Sequence, residues 1–227
     1  MNRFHLMMIF SIIIAGTLFS LYLRAARVNA YQKEKESLKK NVEFATLAAM
    51  HELKSEQGSQ TAVRNVVDKY FNCFALANKT IKEEGYFFTP AIVIMENNGF
   101  YICYPTDEGY YIPKTSELVP YSSANPAVKE TIALDGEVFI NGRYDHVESS
   151  KDRIRSYVQY SVEKAVRERM DILNDVLERP RYAYELTSDI IVEPNRSIVV
   201  VVQGYPSVFE HEYYEMVVQT SGQIKRY

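Results

Sequence analysis

Phe4-His-Leu-Met-Met-Ile-Phe-Ser-Ile-Ile-Ile-Ala-Gly-Thr-Leu-Phe-Ser-Leu-Tyr-Leu23 is the stretch that decides how this chain is built. It holds no Asp, Glu, Lys or Arg, and Arg3 and Arg24 bracket it. At about 1.5 Å of rise per residue, a helix of roughly twenty residues reaches the ~30 Å needed to cross the hydrocarbon core of a bilayer. Nothing comparable recurs along the chain. The expected plan is therefore one transmembrane helix carrying a soluble domain of roughly two hundred residues.

Working outward, no Gly or Pro occurs between Thr17 and Gln57, so the apolar run passes without a helix breaker into an amphipathic pattern. Leu38, Val42, Ala45, Ala49 and Leu53 recur at helical spacing, with Phe44 and Ala48 widening the stripe. The anchor and the first soluble helix are predicted to form one rod from Phe4 to Lys54, roughly 75 Å long. Gly58 and Ser59 end it, and a second amphipathic helix follows with Val63, Val66, Val67, Tyr70, Phe71, Phe74 and Ala75 inward.

Beyond Gly85 the pattern turns to strands. Ala91 to Met95 and Phe100 to Tyr104, joined through Glu96-Asn97-Asn98-Gly99, read as a β-hairpin whose Asn-Gly supplies positive φ angles. Pro105 to Pro126 reads as a loop rich in Tyr, Pro and Ser. A short strand, Val138 to Ile140, runs into Asn141-Gly142, another turn signal. Ser149 or Ser150 caps a long helix ending near Glu178 ahead of Pro180. Its apolar stripe is Ile154, Tyr157, Val158, Ser161, Val162, Ala165, Met170, Leu173 and Leu177. Three strands are predicted after it, at Ala183 to Val192, Ser197 to Gln203 and Glu212 to Thr220. The second is continuously apolar, the mark of a strand buried on both faces.

The expected fold is α+β: a transmembrane helix continued by a spine helix and packed, with further helices, on a small antiparallel sheet. Residues 1–29 form a short tail and signal anchor, 30–84 a stalk of two helices, and 85–227 a globular domain with its helix at about 149–178. With 47% hydrophobic residues, the length beyond the anchor suffices for a real core.

Charge narrows the partners. A net charge of -3 without a long basic run excludes nucleic acid as an expected partner. The basic residues near the anchor, Arg3 before it against Arg24, Arg27, Lys33 and Lys35 after it, favour a cytoplasmic domain by the positive-inside rule. The form of the segment points the other way: a short tail with one Arg, an immediate apolar run, and small residues at Val28-Asn29-Ala30. The run is too long for efficient cleavage, so the leading expectation is an uncleaved signal anchor with an extracytoplasmic domain.

Chemistry finds few candidates. His5, His51, His146 and His211 are scattered, and His211-Glu212-x-x-Glu215 lacks the second His of a zinc protease. Asp107-Glu108-Gly109 and Asp135-Gly136-Glu137 read as acidic turns. No nucleophile elbow or phosphate-binding Gly loop is present in the sequence. No catalytic, metal or cofactor-binding residue is assigned, and no enzymatic activity is expected. Cys73 and Cys103 fall in a helix and a strand pattern, either as buried small side chains or as a disulfide. Ala15, Gly16 and Ser20 are small enough to let another transmembrane helix approach, although such residues are also ordinary anchor composition. Tyr101, Tyr104, Tyr110, Tyr111 and Tyr121 are a candidate partner surface.

An apolar N-terminal helix that continues as an amphipathic spine, Phe4 to Lys54, and packs on a sheet supplied by Ala91 to Tyr104 and Ser197 to Thr220 resembles the pilin and pseudopilin plan, more loosely the TadE-like minor pilins. The resemblance is one of architecture, since no Gly precedes the apolar run as a prepilin peptidase would require and no Glu lies just inside it. It implies a head facing outward and an anchor packed among other subunits' helices. The expected function is a non-enzymatic structural or assembly component of a pilus-like, conjugative or secretion apparatus, working by protein contacts or self-assembly. The alternatives are an extracytoplasmic ligand-binding or sensory domain and a cytoplasmic, membrane-tethered scaffold.

Overall fold

The computed structural model describes residues 3–55, 60–77, 86–106, 108–145, 147–176, 189–205 and 214–221. The rod is one helix, α1, Arg3–Ser55, 53 residues or roughly 80 Å long. Its N-terminal part is long and apolar enough to cross a membrane, and none of its apolar window is buried in the protein. The side chains described from Arg3 to Ala30 are all exposed, Tyr31 is the first to be partly covered, and Leu38 the first to be buried. Within the apolar part, Ser11 and Thr17 donate their hydroxyls to the carbonyls of Met7 and Ile14, at 2.9 and 2.8 Å. A helix passing through lipid needs its polar groups satisfied from within.

The remaining elements are α2 (Gln60–Ala77), β1 (Tyr86–Glu96), β2 (Gly99–Thr106), β3 (Gly109–Tyr111), a 3-10 turn (Thr115–Glu117), β4 (Tyr121–Ser122), β5 (Glu130–Ile132), β6 (Val138–Ile140), β7 (Arg143–Asp145), α3 (Lys151–Val176), β8 (Ser197–Tyr205) and β9 (Tyr214–Ser221). Five strands form one antiparallel sheet in the order β3-β2-β1-β8-β9, and β4 to β7 form a small meander. The architecture is α+β with three layers: α1 and α2, the large sheet, then α3 with the meander.

Strand alternation distributes the core. Ile92, Ile94, Tyr101, Cys103, Ile198, Val200 and Val202 face the rod side, where they meet Leu38, Val42, Ala45, Ala49 and Leu53 of α1 and Val63, Val66, Val67 and Tyr70 of α2. Ala91, Val93, Met95, Phe100, Ile102, Val199 and Val201 face α3, against Ile154, Val158, Val162, Val166, Met170 and Leu173. Residues 198–202 of β8 are buried on both faces, as their unbroken apolar run requires. The helices of the expected stalk and the strands of the expected globular domain thus share one core.

Several local expectations need correction. Phe44 lies on the side of α1 away from the sheet and is 59% exposed, because 100° per residue turns it out of the stripe. Ala75 is likewise exposed. Asn98-Gly99 is not a positive-φ turn: none of Asn97, Asn98 and Gly99 has a positive φ. Gly99 is needed for space, since a Cβ there would stand 2.3 Å from the carbonyl oxygen of Val119. Phe100 and Val119 exchange both backbone hydrogen bonds at 2.9 Å, so the span read as a loop from Pro105 to Pro126 carries β3, the 3-10 turn, an isolated bridge and β4. Asn141-Gly142 does make the left-handed turn, at φ 52° and 75°, joining β6 to β7. Residues 189–192 are not a strand; Ile190 and Val192 are buried against the α3 side of the sheet while Ile191 points out. The rest of that predicted strand, Gly58, Gly85, His146, His211 and the end of the long helix beyond Val176 lie outside the described residues. Ser150 is the cap of α3, its Oγ accepting the Arg153 amide at 3.3 Å.

Candidate functional site

The sheet's strands lie along α1, which sets the geometry of everything else. At the end nearer the apolar part of α1, the Lys35 ammonium sits 4.7 Å from the Tyr214 ring at the start of β9. At the far end, Arg196 Nη2 donates to the Leu53 carbonyl at 3.3 Å beside the start of β8. Between those points α1 rises roughly 27 Å, close to the ~23 Å length of β9.

The distal end carries an open cleft of about 590 Å³ lined by Glu96, Asn97, Leu134, Asp135, Pro194, Asn195 and Arg196. Its polar groups act as a clasp. Arg196 Nη2 also donates to Glu96 Oε1 at 2.9 Å, and its Nε lies 2.8 Å from Oε2 as an ionic contact too bent for a hydrogen bond. One guanidinium therefore ties the last turn of α1, whose carbonyls have no helical partner, to the end of β1. Asn97 Nδ2 donates to Asp135 Oδ2 at 2.8 Å, its Oδ1 accepts the Asp135 amide, and its carbonyl accepts the Leu134 amide at 2.8 Å. These three bonds staple the β1–β2 turn to the β5–β6 turn. Asp135 Oδ1 accepts the Glu137 amide around Gly136 at φ 99°, the chemistry of a turn. Among the described residues no three His, Cys, Asp or Glu side chains gather to hold a metal ion. Sequence reading missed this clasp, because only a turn signal at Glu96-Asn97-Asn98-Gly99 and a strand start at Ser197 mark its parts.

The five tyrosines do not form one surface. Tyr101 and Tyr121 are core residues, 5% and 0% exposed, and are corrected from the candidate partner set. Alternation sends Tyr101 and Tyr110 to the rod side and Tyr104 and Tyr111 to the α3 side. Tyr110 stands edge-on to Phe71 at 4.8 Å and donates to the Thr89 carbonyl at 3.2 Å, and burial pushes its phenol well up. Tyr121 donates to the Glu96 carbonyl at 3.0 Å, and burial raises it too. Tyr104 and Tyr111 remain partly exposed, 4.9 Å apart, with the Arg169 guanidinium over Tyr104 at 4.5 Å.

Tyr111 and Glu117 form a local acid-sensitive lock. Glu117 Oε2 accepts the Lys114 amide at 2.6 Å and the Tyr111 hydroxyl at 2.8 Å. These bonds hold the Glu117 carboxyl below its usual range, the Lys114 amide contributing most, and the bond to Glu117 pushes Tyr111 up to about 12. A lowered carboxyl gives stability that is present above its unfolded pKa and lost as pH falls through the folded value. A raised phenol gives stability that is present below its unfolded pKa and lost as pH rises toward about 12. The Lys114 amide is therefore expected to lose hydrogen-exchange protection at acid pH, below the ordinary Glu range. Tyr111→Phe should raise the Glu117 titration midpoint toward its usual value by NMR; an unmoved midpoint would show that the bond does not form.

Cys73 and Cys103 are free thiols on the same core. Cys103 is fully buried in β2, and burial alone pushes its thiol up to about 12, whereas Cys73 is partly exposed. The thiolate is the reactive form. In the native protein a thiol reagent is expected to modify Cys73 first and Cys103 only on unfolding, as mass spectrometry of the labelled peptides would show.

Ala15, Gly16 and Ser20 are all exposed on the apolar part of α1, and a Cβ built on Gly16 meets nothing within 4 Å. No family model, curated protein or solved structure matches this chain.

Proposed function

We propose that this protein is a non-enzymatic, single-pass membrane-anchored component of a pilus-like, conjugative or secretion apparatus, with its folded domain on the extracytoplasmic side and its work done through protein contacts. The observation that carries this reading is the continuity of α1. One helix is apolar from Phe4 to Leu23, stays exposed to Ala30, and is a core element from Leu38 to Leu53. Anchor and domain are thereby joined by unbroken helix rather than by a flexible linker, the arrangement a load-bearing or position-setting part needs. The polar groups of the distal cleft are committed to holding elements together, which fits a part built for contacts rather than turnover. An unbroken rod lying on a sheet supports reading the chain on the pilin-like plan.

The test is topology and neighbourhood. A single Cys at exposed Lys151, in a chain lacking Cys73 and Cys103, should react with a membrane-impermeant maleimide in intact cells. A photo-crosslinker at Gly16 should capture other integral membrane proteins. Labelling only after lysis would move the domain inside and favour a cytoplasmic tethered scaffold, a reading supported by the four exposed cations Arg24, Arg27, Lys33 and Lys35 just past the anchor.

A further inference from the structure

We propose that Arg24 and Arg27 of α1 bind the phosphate headgroups of anionic phospholipid, in the leaflet from which the folded domain projects. The inference rests on reading α1 as a membrane anchor, and it names the lipid chemistry that the anchor selects. It holds for either orientation of the chain, since the lipid is needed only in the leaflet on the domain's side.

The rod fixes the depth of these side chains. With the hydrocarbon edge at Leu23, the last residue of the apolar run, Arg24 stands about 2 Å and Arg27 about 6 Å beyond it along the helix axis. The headgroup layer is roughly 5–8 Å deep on each side of a bilayer, so both arginines fall inside it. The protein leaves that layer room. Every side chain from Arg24 to Ala30 is exposed, a bare length of about 10 Å, and cover begins with Tyr31. Unbroken helix ties this depth rigidly to the head above.

The charges there call for an anion. Arg24 and Arg27 are one helical turn apart, near enough to repel each other. Their other neighbours at three and four positions are Ser20, Leu21, Leu23, Val28, Ala30 and Tyr31, and Glu34 is the first acidic residue in the chain. The helix itself therefore supplies these two cations with no counter-charge. Their planar guanidiniums present paired donors that match the oxygens of a phosphate. They also share a side of the rod. Arg24 and Arg27 precede Val42 and Ala45 of the buried stripe by eighteen residues, about five whole turns, so both leave the helix on the side where the sheet lies. A phosphate held there sits between the bilayer and the near end of the head, where the Lys35 ammonium meets the Tyr214 ring. Lys33 and Lys40, also exposed, stand about 15 and 26 Å beyond Leu23. Both are roughly a Debye length or more from the headgroups, too far to contribute much.

The experiment uses the full chain in nanodiscs of phosphatidylcholine with a minor share of phosphatidylglycerol, and counts by native mass spectrometry the lipids that stay with the protein. Phosphatidylglycerol is expected to be retained in preference, and the preference should fall roughly fivefold for each of Arg24→Gln and Arg27→Gln and erode in high salt. Lys33→Gln with Lys40→Gln removes the same charge and should leave it within about twofold. A photo-crosslinker at exposed Val28 should capture lipid. No preference for phosphatidylglycerol, an equal loss in the lysine variant, or displacement by inorganic phosphate at constant ionic strength would each overturn the proposal. Capture of an acidic protein rather than lipid from Val28 in native membranes would overturn it too. A chain that enters the nanodisc without lipid preference loses this inference and keeps its anchor, whereas a chain recovered outside the nanodisc loses both.

Discussion

Val42→Asp is expected to remove most of the domain's stability, whereas Phe44→Asp, two residues along the same helix, is expected to change it by no more than ~0.5 kcal/mol. Val42 is 0% exposed and sits among Leu38, Ala45 and Ala49 of the rod and the β1 and β8 side chains beneath them. The side chains packed there are hydrophobic, and among the described residues the cluster holds no cation to pair with a carboxylate. The variant loses about 1.5–3 kcal/mol of burial, and an unpaired buried carboxylate adds several kcal/mol. Against a domain stability of roughly 5–15 kcal/mol, the sum is most of the total. The cost has a pH signature. Burial raises the folded pKa of the new Asp above its unfolded value, so the deficit shrinks as pH falls through that raised value and is full at neutral pH. Urea unfolding of the full chain in detergent, at neutral and mildly acidic pH, would measure both. Equal losses for the two substitutions would mean that the rod does not lie on the sheet.

Arg196→Ala should cost about 2–4 kcal/mol, more than an exposed ion pair is worth. The side chains of Arg196 and Glu96 are 30% and 19% exposed, so the pair is half removed from water and its removal leaves Glu96 without its cation. The same substitution releases the Leu53 carbonyl at the end of α1. Two readouts separate these effects. A double-mutant cycle with Glu96→Gln should give a coupling of roughly 1–2 kcal/mol. Hydrogen exchange should show the last turn of α1 opening in Arg196→Ala but not in Glu96→Gln. Arg196→Lys is expected to recover the ion pair in part and the carbonyl bond poorly, because an ammonium lacks the planar fork that spans both acceptors. Global loss without a local change in the last turn would point to ordinary core disruption instead.

The elements themselves were largely legible. Helical spacing at Leu38, Val42, Ala45, Ala49 and Leu53 marked a stripe that is buried throughout. The run Ile198 to Val202 marked a strand covered on both faces, and the pair Ser149-Ser150 marked the start of α3, with Ser150 the one that caps it. Where the reading failed, the cause was a contact between segments distant in sequence. Gly99 was read as a turn former, yet its job is to admit the carbonyl of Val119. Residues 105–126 looked like a loop because their strands are two or three residues long and exist only through pairing with β2 and β5. Tyrosine content suggested a surface, but a Tyr hydroxyl is satisfied in a core whenever a carbonyl is within reach, as Glu96 is for Tyr121. The distal clasp was illegible for the same reason: Leu53, Glu96 and Arg196 meet across 143 and 100 residues of chain, with no local signal at any of them.

The sequence by itself determined that an apolar helix long enough to cross a bilayer begins near the N-terminus and continues without a breaker into an amphipathic one, because length, hydrophobicity and the absence of Gly and Pro act residue by residue. It also determined that β8 is an interior strand, since an unbroken apolar run has no face to give to water. Only the tertiary structure decided which face of the rod meets the sheet, that α3 covers the opposite face, that β1 and β8 take the middle of the sheet, and that Arg196 fastens the far end of the rod. Those outcomes depend on pairings between remote segments, whose energies come from shape and geometry in three dimensions rather than from any property of a residue and its neighbours.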